Sequence, residues 1–177
     1  VERFEYQLCA QTKAAHAVAL TNGTVALRLA LHLVGVASND EVILPPLTFV
    51  ATANAVAHLG AVPHFVDVDK QTLGMDAKAL SERLEAVAKR KEGKLINIQS
   101  GRRIAAVLPV HVFGHPAKIT ELKAIAEQWG LPLIEDAAEA LGSWRDDIHC
   151  GLFGAAGTLS FNGNKLITCG GGGALLT

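Results

Sequence analysis

The stretch "LSFNGNKLITCGGGG", residues 159–173, leads from an apolar, strand-like run into a polar loop with one lysine, Lys165, and then into four consecutive glycines. A lysine that follows a buried strand needs a partner or a ligand, because an unpaired charge is costly to bury. Gly170–Gly173 lack Cβ atoms, and we expect this tract to leave room beside the lysine for a flat ligand. A lysine among apolar neighbours is a nucleophile towards carbonyl groups. The stretch therefore predicts a Schiff-base lysine at the end of a strand.

Upstream of this stretch, helix-like and strand-like segments alternate. Apolar residues at helical spacing cover residues 1–12, 24–34, 48–60, 76 to about 89, and 119–129. Short apolar, strand-like runs cover residues 16–21, 41–45, 62–69, 104–110, 131–136, 157–161 and 171–177. We interpret the basic segment 89–103, KRKEGKLINIQSGRR, as a solvated connector. The alternation predicts an α/β domain with a largely parallel sheet.

Composition restricts the classes of protein that remain. The chain has 177 residues, 50% of them hydrophobic, which suits a single domain with a substantial core. Its 16 basic and 17 acidic residues give a net charge of -1, so we expect no nucleic-acid partner and no attraction to an anionic membrane. Cys9, Cys150 and Cys169 form no C-x-x-C pair and no disulfide framework, and no apolar run is long enough to span a bilayer. These features predict a soluble cytoplasmic protein.

Two further expectations concern metals and chain length. The seven histidines lack the spacing of a metal site, so no metal is expected. The chain begins at Val1 without an initiator methionine and ends at Thr177, directly after an apolar strand. We therefore expect it to be part of a longer polypeptide.

Four polar or aromatic elements follow predicted strands: Asn22-Gly23-Thr24, Thr48-Phe49, Asp136 and Lys165. Ligands of open parallel α/β sheets bind beyond the carboxyl ends of the strands, so these elements are predicted to converge on one crevice. The Asn22–Thr24 turn has the form of an anion cradle at a helix N-terminus, but taken alone it favours a plain capped turn. Asp136 and Lys165 suit either a ligand site or an ordinary buried ion pair.

A more specific indication comes from seven strings in order: "TNGTVAL", "PLTFVATANAV", "GAVPHFVDVD", "VHVFGHP", "IEDAAEALGS", "FGAAGTLSFNGNK" and "TCGGGG". Together they resemble the DegT/DnrJ/EryC1/StrS family of pyridoxal-phosphate sugar aminotransferases. They also resemble its branch that acts on nucleotide-linked 4-keto-6-deoxy sugars, including enzymes of the legionaminic-acid pathway. The resemblance implies that residues 1–177 form the large domain of a fold-type I pyridoxal-phosphate-dependent transferase. That domain is a three-layer α/β/α structure with a mostly parallel mixed sheet, and a C-terminal small domain follows it.

The resemblance also implies a role for each matching residue. Lys165 forms the internal aldimine, and Asp136 pairs with the pyridinium nitrogen. Gly23 and Thr24 hold the phosphate, assisted by Ser160, and Phe49 stacks on the ring face. Glu139 stands where many members carry Gln or His near the phenolic oxygen of the cofactor. Cys169 replaces a frequent Thr.

The partners implied are a nucleotide-linked keto sugar, glutamate as amino donor, and a second copy of the chain in a homodimer with active sites at the interface. Some members of the family are dehydratases in which histidine replaces the lysine, so Lys165 favours transamination. The alternative is a catalytically incomplete fragment that acts only as a ligand-binding or assembly domain. In that alternative, Asp136 and Lys165 form a structural pair.

Overall fold

A computed structural model describes residues 1–177. The helices are α1 (Glu2–Thr12), α2 (Gly23–Leu33), α3 (Val50–Ala57), α4 (Ala77–Val87) and α5 (Ile119–Trp129), with one 3₁₀ turn at Val112–Gly114. The strands are β1 (Ala17–Leu20), β2 (Glu41–Leu44), β3 (Val62–Phe65), β4 (Ala88–Lys91), β5 (Lys94–Asn97), β6 (Ile104–Val107), β7 (Ile134–Asp136), β8 (Trp144–Arg145), β9 (Ile148–His149), β10 (Ala156–Ser160) and β11 (Gly173–Leu176).

Seven of these strands form the central sheet. β2 pairs in parallel with β3 and β6, and β10 pairs in parallel with β7. Parallel bridges at Val107–Leu133 and Val110–Asp136 join the two groups. β11 lies between β10 and β1 and is antiparallel to both. The order is therefore β3-β2-β6-β7-β10-β11-β1 with one antiparallel strand, which confirms the mostly parallel mixed sheet.

The core lies on both faces of this sheet. β2 is buried along its whole length, and its side chains alternate between two clusters. Ile43 packs in a cluster with residues of α4 and α5, whereas Val42 and Leu44 pack with residues of α2 and α3. Because helices cover both faces, the domain has the predicted three layers.

Helix ends follow local sequence signals. Asn22 caps α2 by accepting a hydrogen bond from the Val25 N–H at 2.8 Å, and Asp76 caps α4 through the Ala79 N–H at 3.0 Å. Gly130 ends α5 in the left-handed conformation with φ 67°. α3 is shorter than predicted, because it ends at Ala57 and Gly60 takes a positive φ in the turn that follows.

Two segments differ from the sequence predictions. α4 ends at Val87 rather than near residue 89, and the basic segment continues as an antiparallel hairpin of β4 and β5. Positive φ angles at Glu92 and Gly93 make the tight turn that a hairpin requires. The polar loop after Trp144 likewise contains the short β8–β9 hairpin. None of the helices has the length and apolar character needed to cross a membrane.

Candidate active site

The carboxyl ends of the parallel strands open onto a cavity of about 440 Å³. Its wall contains every residue predicted from the sequence to form the site: Gly23, Thr24, Phe49, Asp136, Glu139, Ser160 and Lys165. The predicted convergence on one crevice is therefore confirmed. A cavity of this size is in the range of small-molecule sites. The roles of the individual residues in binding a cofactor stay predictions.

Asp136 is the last residue of β7, and its carboxylate is buried. Thr52 Oγ1 donates to its Oδ2 at 2.6 Å, and the Ala138 N–H donates to Oδ1 at 3.2 Å. Burial raises the pKa of Asp136, because these hydrogen bonds and the charge of Lys165 compensate the desolvated carboxylate only in part. A cationic N–H group in the cavity would favour the ionised form, so the carboxylate is suited to bind one.

Lys165 does not pair with Asp136. Its Nζ donates to Glu139 Oε1 at 3.0 Å and lies 5.7 Å from the centre of the Phe49 ring. The lysine side chain is only 10% exposed. The interpretation of Asp136 and Lys165 as a structural ion pair is therefore wrong, because the nearer carboxylate of Glu139 takes the lysine.

Glu139 joins two parts of the cavity wall. While Oε1 accepts from Lys165, Oε2 accepts from the backbone N–H of Phe113 at 3.1 Å. Phe113 has φ 53°, an uncommon value for an aromatic residue, and its ring is 76% exposed. At the next residue, Gly114, a Cβ would lie 2.6 Å from the Glu139 carbonyl oxygen, so only glycine fits. Glu139 thus positions both the lysine and this turn.

The N-terminus of α2 provides a site for an anion. The side chain of Asn22 satisfies the Val25 N–H, but the N–H groups of Gly23 and Thr24 have no acceptor within the chain. The first turn of α2 contains no acidic residue, so the positive end of the helix dipole is unopposed. The turn is therefore both capped and open to an anion, which combines the two interpretations left by the sequence.

Ser160 explains why residue 23 is glycine. A Cβ at Gly23 would lie 2.9 Å from the Cβ of Ser160, so α2 begins in close contact with the end of β10. This contact places the Ser160 hydroxyl and the free N–H groups of α2 on the same wall of the cavity.

The glycine tract does not serve the predicted purpose. Gly170–Gly173 are absent from the cavity wall, so the expectation that they make room for a flat ligand is wrong. A Cβ at Gly173 would lie 2.4 Å from the carbonyl carbon of Asn22, and Gly170 and Gly172 have positive φ angles. Gly173 instead lets β11 pass directly beneath the start of α2.

Three polar cavity residues were missed by the sequence analysis: Thr52, Asn162 and Asn164. Thr52 lies one helical turn after Thr48, and its hydroxyl contacts that of Thr48 at 2.6 Å. Spacing on α3 relative to Thr48 and Phe49 was an available signal for Thr52. The two asparagines flank Gly163 in the quoted "SFNGNK" string.

His111 also lines the cavity but is buried and has structural partners. The Ala117 N–H donates to Nδ1 at 3.2 Å, which assigns the ring proton to Nε2, and Nε2 donates to Glu135 at 2.9 Å. Glu135 also accepts backbone N–H groups from Gly151, Phe153 and Gly154. The pair ties the floor of the cavity to the loop before β10.

A mixed sheet between two helical layers, with a lysine after β10 and a buried aspartate at the end of β7, defines the large domain of a fold-type I transferase. The chain matches the DegT/DnrJ/EryC1/StrS aminotransferase family over residues 1–177 and belongs to that family.

Individual relatives agree with this assignment. The chain is 37% identical over 177 residues to GDP-perosamine synthase of Escherichia coli O157:H7, covering 100% of this chain and 44% of that protein. It is 41% identical over 177 residues to the putative pyridoxal phosphate-dependent aminotransferase EpsN of Bacillus subtilis (strain 168), covering 43% of it. A DegT DnrJ EryC1 StrS aminotransferase from Brucella abortus has 39% identity and a TM-score of 0.89, with 99% of this chain and 45% of that chain covered. The chain thus spans less than half the length of these relatives.

Proposed function

We propose that residues 1–177 are the cofactor-binding large domain of a pyridoxal-phosphate-dependent aminotransferase. Its substrate is a nucleotide-linked keto-deoxy sugar of the 4-keto-6-deoxy type, and glutamate is the amino donor. The observation that carries the proposal is the placement of Lys165, Asp136 and the N-terminus of α2 around one cavity. The similarity to GDP-perosamine synthase supports the sugar, and the similarity to the pyridoxal phosphate-dependent aminotransferase EpsN supports the cofactor.

The cavity fits the cofactor in three independent respects. The buried Asp136 carboxylate, whose pKa is raised by burial, suits a cationic ring N–H. The unpaired N–H groups at the start of α2 suit a phosphate group. The ring of Phe49 is 67% exposed, lines the cavity and offers a face to an aromatic ligand. When bound, pyridoxal phosphate supplies an electron sink for the bonds broken at the amino carbon.

Each residue of the cavity wall has its own proposed role. Asp136 holds the proton of the ring nitrogen and so favours the cationic ring. Gly23, Thr24 and Ser160 bind the phosphate, and Phe49 covers one ring face. These residues would hold the cofactor, and Lys165 would supply the amine that reacts with its aldehyde.

Lys165 changes partners during the reaction. With the cofactor bound, Lys165 would hold it through Nζ in place of the contact with Glu139, and Nζ would be a free amine once the amino donor has bound. As a free amine, Nζ would serve as the general base for the proton at the Cα of the donor. Glu139 remains beside the lysine and holds the Phe113 turn.

A second copy of the chain is the proposed partner. Seven large hydrophobic residues are exposed in the segments that carry the cavity residues: Val25, Leu47, Phe49, Val50, Phe113, Leu166 and Ile167. An exposed apolar surface of this kind is typical of a protein interface. The proposed assembly is a homodimer with the cavity at its interface, and the proposed compartment is the cytoplasm.

Capture of the cofactor tests the proposal directly on this chain. Pyridoxal phosphate is added, the visible spectrum is recorded, and the product is reduced with borohydride and digested with trypsin. Modification of Lys165 blocks cleavage there, so the adduct appears on the peptide spanning residues 146–177, since no later Lys or Arg follows. We expect an imine absorption band and this adduct.

Lys165→Arg is the matched control, because arginine keeps a positive charge for Glu139 but forms no imine. We expect this variant to fold, as measured by circular dichroism, and to give neither band nor adduct. A folded wild-type chain without an adduct at Lys165 would contradict the proposal for this domain. Amino transfer from glutamate to a GDP-linked keto sugar is then assayed on the full-length protein.

A further inference from the structure

The chain contains two Asn-Gly pairs, Asn22-Gly23 and Asn162-Gly163, and the asparagine of each pair lines the cavity. Asparagine followed by glycine is chemically labile, because glycine has no Cβ to hinder attack by its own backbone nitrogen on the preceding side chain. The reaction requires that nitrogen to approach the side-chain carbonyl carbon, so the local structure decides which pair reacts. The two pairs differ in the packing around the glycine and in the hydrogen bonds of the asparagine.

Asn22-Gly23 is held rigidly. The side-chain oxygen of Asn22 accepts from the Val25 N–H at 2.8 Å, and its backbone oxygen accepts from the Ala26 N–H at 3.1 Å. Gly23 is buried in the first turn of α2. The peptide bond packs on β11 so closely that a Cβ at Gly173 would lie 2.7 Å from the Gly23 nitrogen. No space remains for a ring to close at this bond.

Asn162-Gly163 is open. Both residues are exposed, and a Cβ at Gly163 would meet no atom within 4 Å. The N–H of Gly163 has no acceptor in the chain, so its nitrogen is free to react. The side-chain amide of Asn162 has one hydrogen bond in the chain, which it donates at 3.0 Å to the exposed Asn164.

We propose that Asn162 is a site of spontaneous deamidation and isoaspartate formation, whereas Asn22 is protected by the fold. The Gly163 nitrogen loses its proton and bonds to Cγ of Asn162, the Cγ–Nδ2 bond breaks, and ammonia leaves with that proton. The resulting succinimide takes up one water molecule at either carbonyl and opens to aspartate or isoaspartate at position 162. Water is the only co-reactant, and no oxidant or reductant takes part.

The modification changes the turn that carries Lys165. Lys165 donates its backbone N–H to the carbonyl oxygen of Asn162 at 3.0 Å, so the Asn162–Lys165 turn places the lysine. Isoaspartate inserts a methylene group into the main chain of that turn, and either product adds a carboxylate to the cavity wall. We expect the modified chain to capture aldehydes at Lys165 more slowly.

The test follows both pairs in the same sample. The purified chain is incubated in mildly alkaline buffer, then digested with trypsin, which places Asn22 in peptide 14–28 and Asn162 in peptide 146–165. We expect peptide 146–165 to gain about one dalton, with fragment ions at residue 162 and labelling by isoaspartyl methyltransferase. Peptide 14–28 should stay unchanged.

Two controls attribute the difference to the fold. In urea, both peptides should gain the mass, since the unfolded chain protects neither pair. Gly163→Ala, which has space for its Cβ, should slow the reaction at residue 162 by about tenfold or more. An unmodified residue 162 in the folded chain, or equal modification of residues 22 and 162, would overturn the proposal.

Discussion

Two buried carboxylates at opposite ends of the sheet show how this domain separates stability from binding. Glu41 begins β2, and Asp136 ends β7 at the cavity. Glu41 accepts hydrogen bonds from His64 Nδ1 at 2.7 Å, from Asn97 Nδ2 at 2.8 Å and from the Ser100 hydroxyl. Asp136 has only one side-chain donor and one backbone N–H.

The pKa values of the two groups change in opposite directions. Burial raises the pKa of each carboxyl, but the hydrogen bonds from Ser100, Asn97 and His64 outweigh burial and lower the pKa of Glu41. At Asp136 burial is the larger effect, so its pKa is raised. A carboxylate that the fold satisfies is structural, whereas one that the fold leaves undercompensated is suited to a ligand.

Removal of Glu41 should have the largest effect on stability. Glu41→Ala leaves the buried groups of His64 and Asn97 without their acceptor, and we expect a loss of about 3 kcal/mol in the free energy of unfolding. Urea unfolding measures this loss. Glu82→Ala is the control, because Glu82 is 66% exposed and forms only a loose pair with Lys78. That control should change stability by no more than about 0.5 kcal/mol. A small effect of Glu41→Ala would remove the structural role.

Asp136→Asn should weaken cofactor binding without lowering the stability of the fold. The amide has the same shape but no charge to desolvate, so we expect the free energy of unfolding to stay the same or rise by up to about 1 kcal/mol. Affinity for pyridoxal phosphate should fall by about tenfold or more, corresponding to about 1.4 kcal/mol, because the cationic ring nitrogen loses its partner. Spectroscopic titration and urea unfolding of the same sample measure both quantities. Unchanged affinity would remove Asp136 from the cofactor site.

The sequence predicts the position of Asp136 at the cavity better than it predicts the hydrogen-bond partners of Glu41. Asp136 ends a strand, Phe49 and Lys165 lie in loops that follow strands, and the carboxyl ends of parallel strands must meet at one edge of a sheet. The partners of Glu41 instead lie 23, 56 and 59 residues away on other elements, and no local pattern connects them. Glu41 is recognisable from sequence only as the start of a strand.

The same distinction explains the errors near the cavity. The pairing of Lys165 with Glu139 depends on the path of the turn after β7, which strand order does not determine. The purpose of Gly173 depends on its contact with Asn22, at the opposite end of the chain. The β4–β5 hairpin was missed because β4 is mostly exposed and β5 buries a polar residue, Asn97, so no alternation of apolar and polar residues in the sequence indicates strands.

The smallest expected effect is on the pH dependence of stability, to which Glu41 and Asp136 contribute with opposite signs. The unfolded carboxyl of Glu41 titrates near 4.5, and its folded pKa is lower. Its stabilising contribution is therefore present above that pH and is lost as the pH falls through the folded pKa. The folded pKa of Asp136 lies above its ordinary 3.8, so the ionised group costs stability near neutral pH. That cost disappears as the pH falls through the raised pKa.

Two isosteric variants make these opposite signs measurable. The free energy of unfolding of the wild type minus that of Glu41→Gln should be positive near neutral pH and should decrease on acidification. The same difference for Asp136→Asn should be zero or negative near neutral pH and should increase on acidification. Each slope is at most about 1.4 kcal/mol per pH unit, since one proton is involved. Urea unfolding between about pH 7 and about pH 3 resolves both slopes, because Glu41 titrates below 4.5 in the folded chain. Parallel slopes for the two variants would mean that the carboxylates experience the same environment, and the division between a structural and a ligand-binding carboxylate would fail.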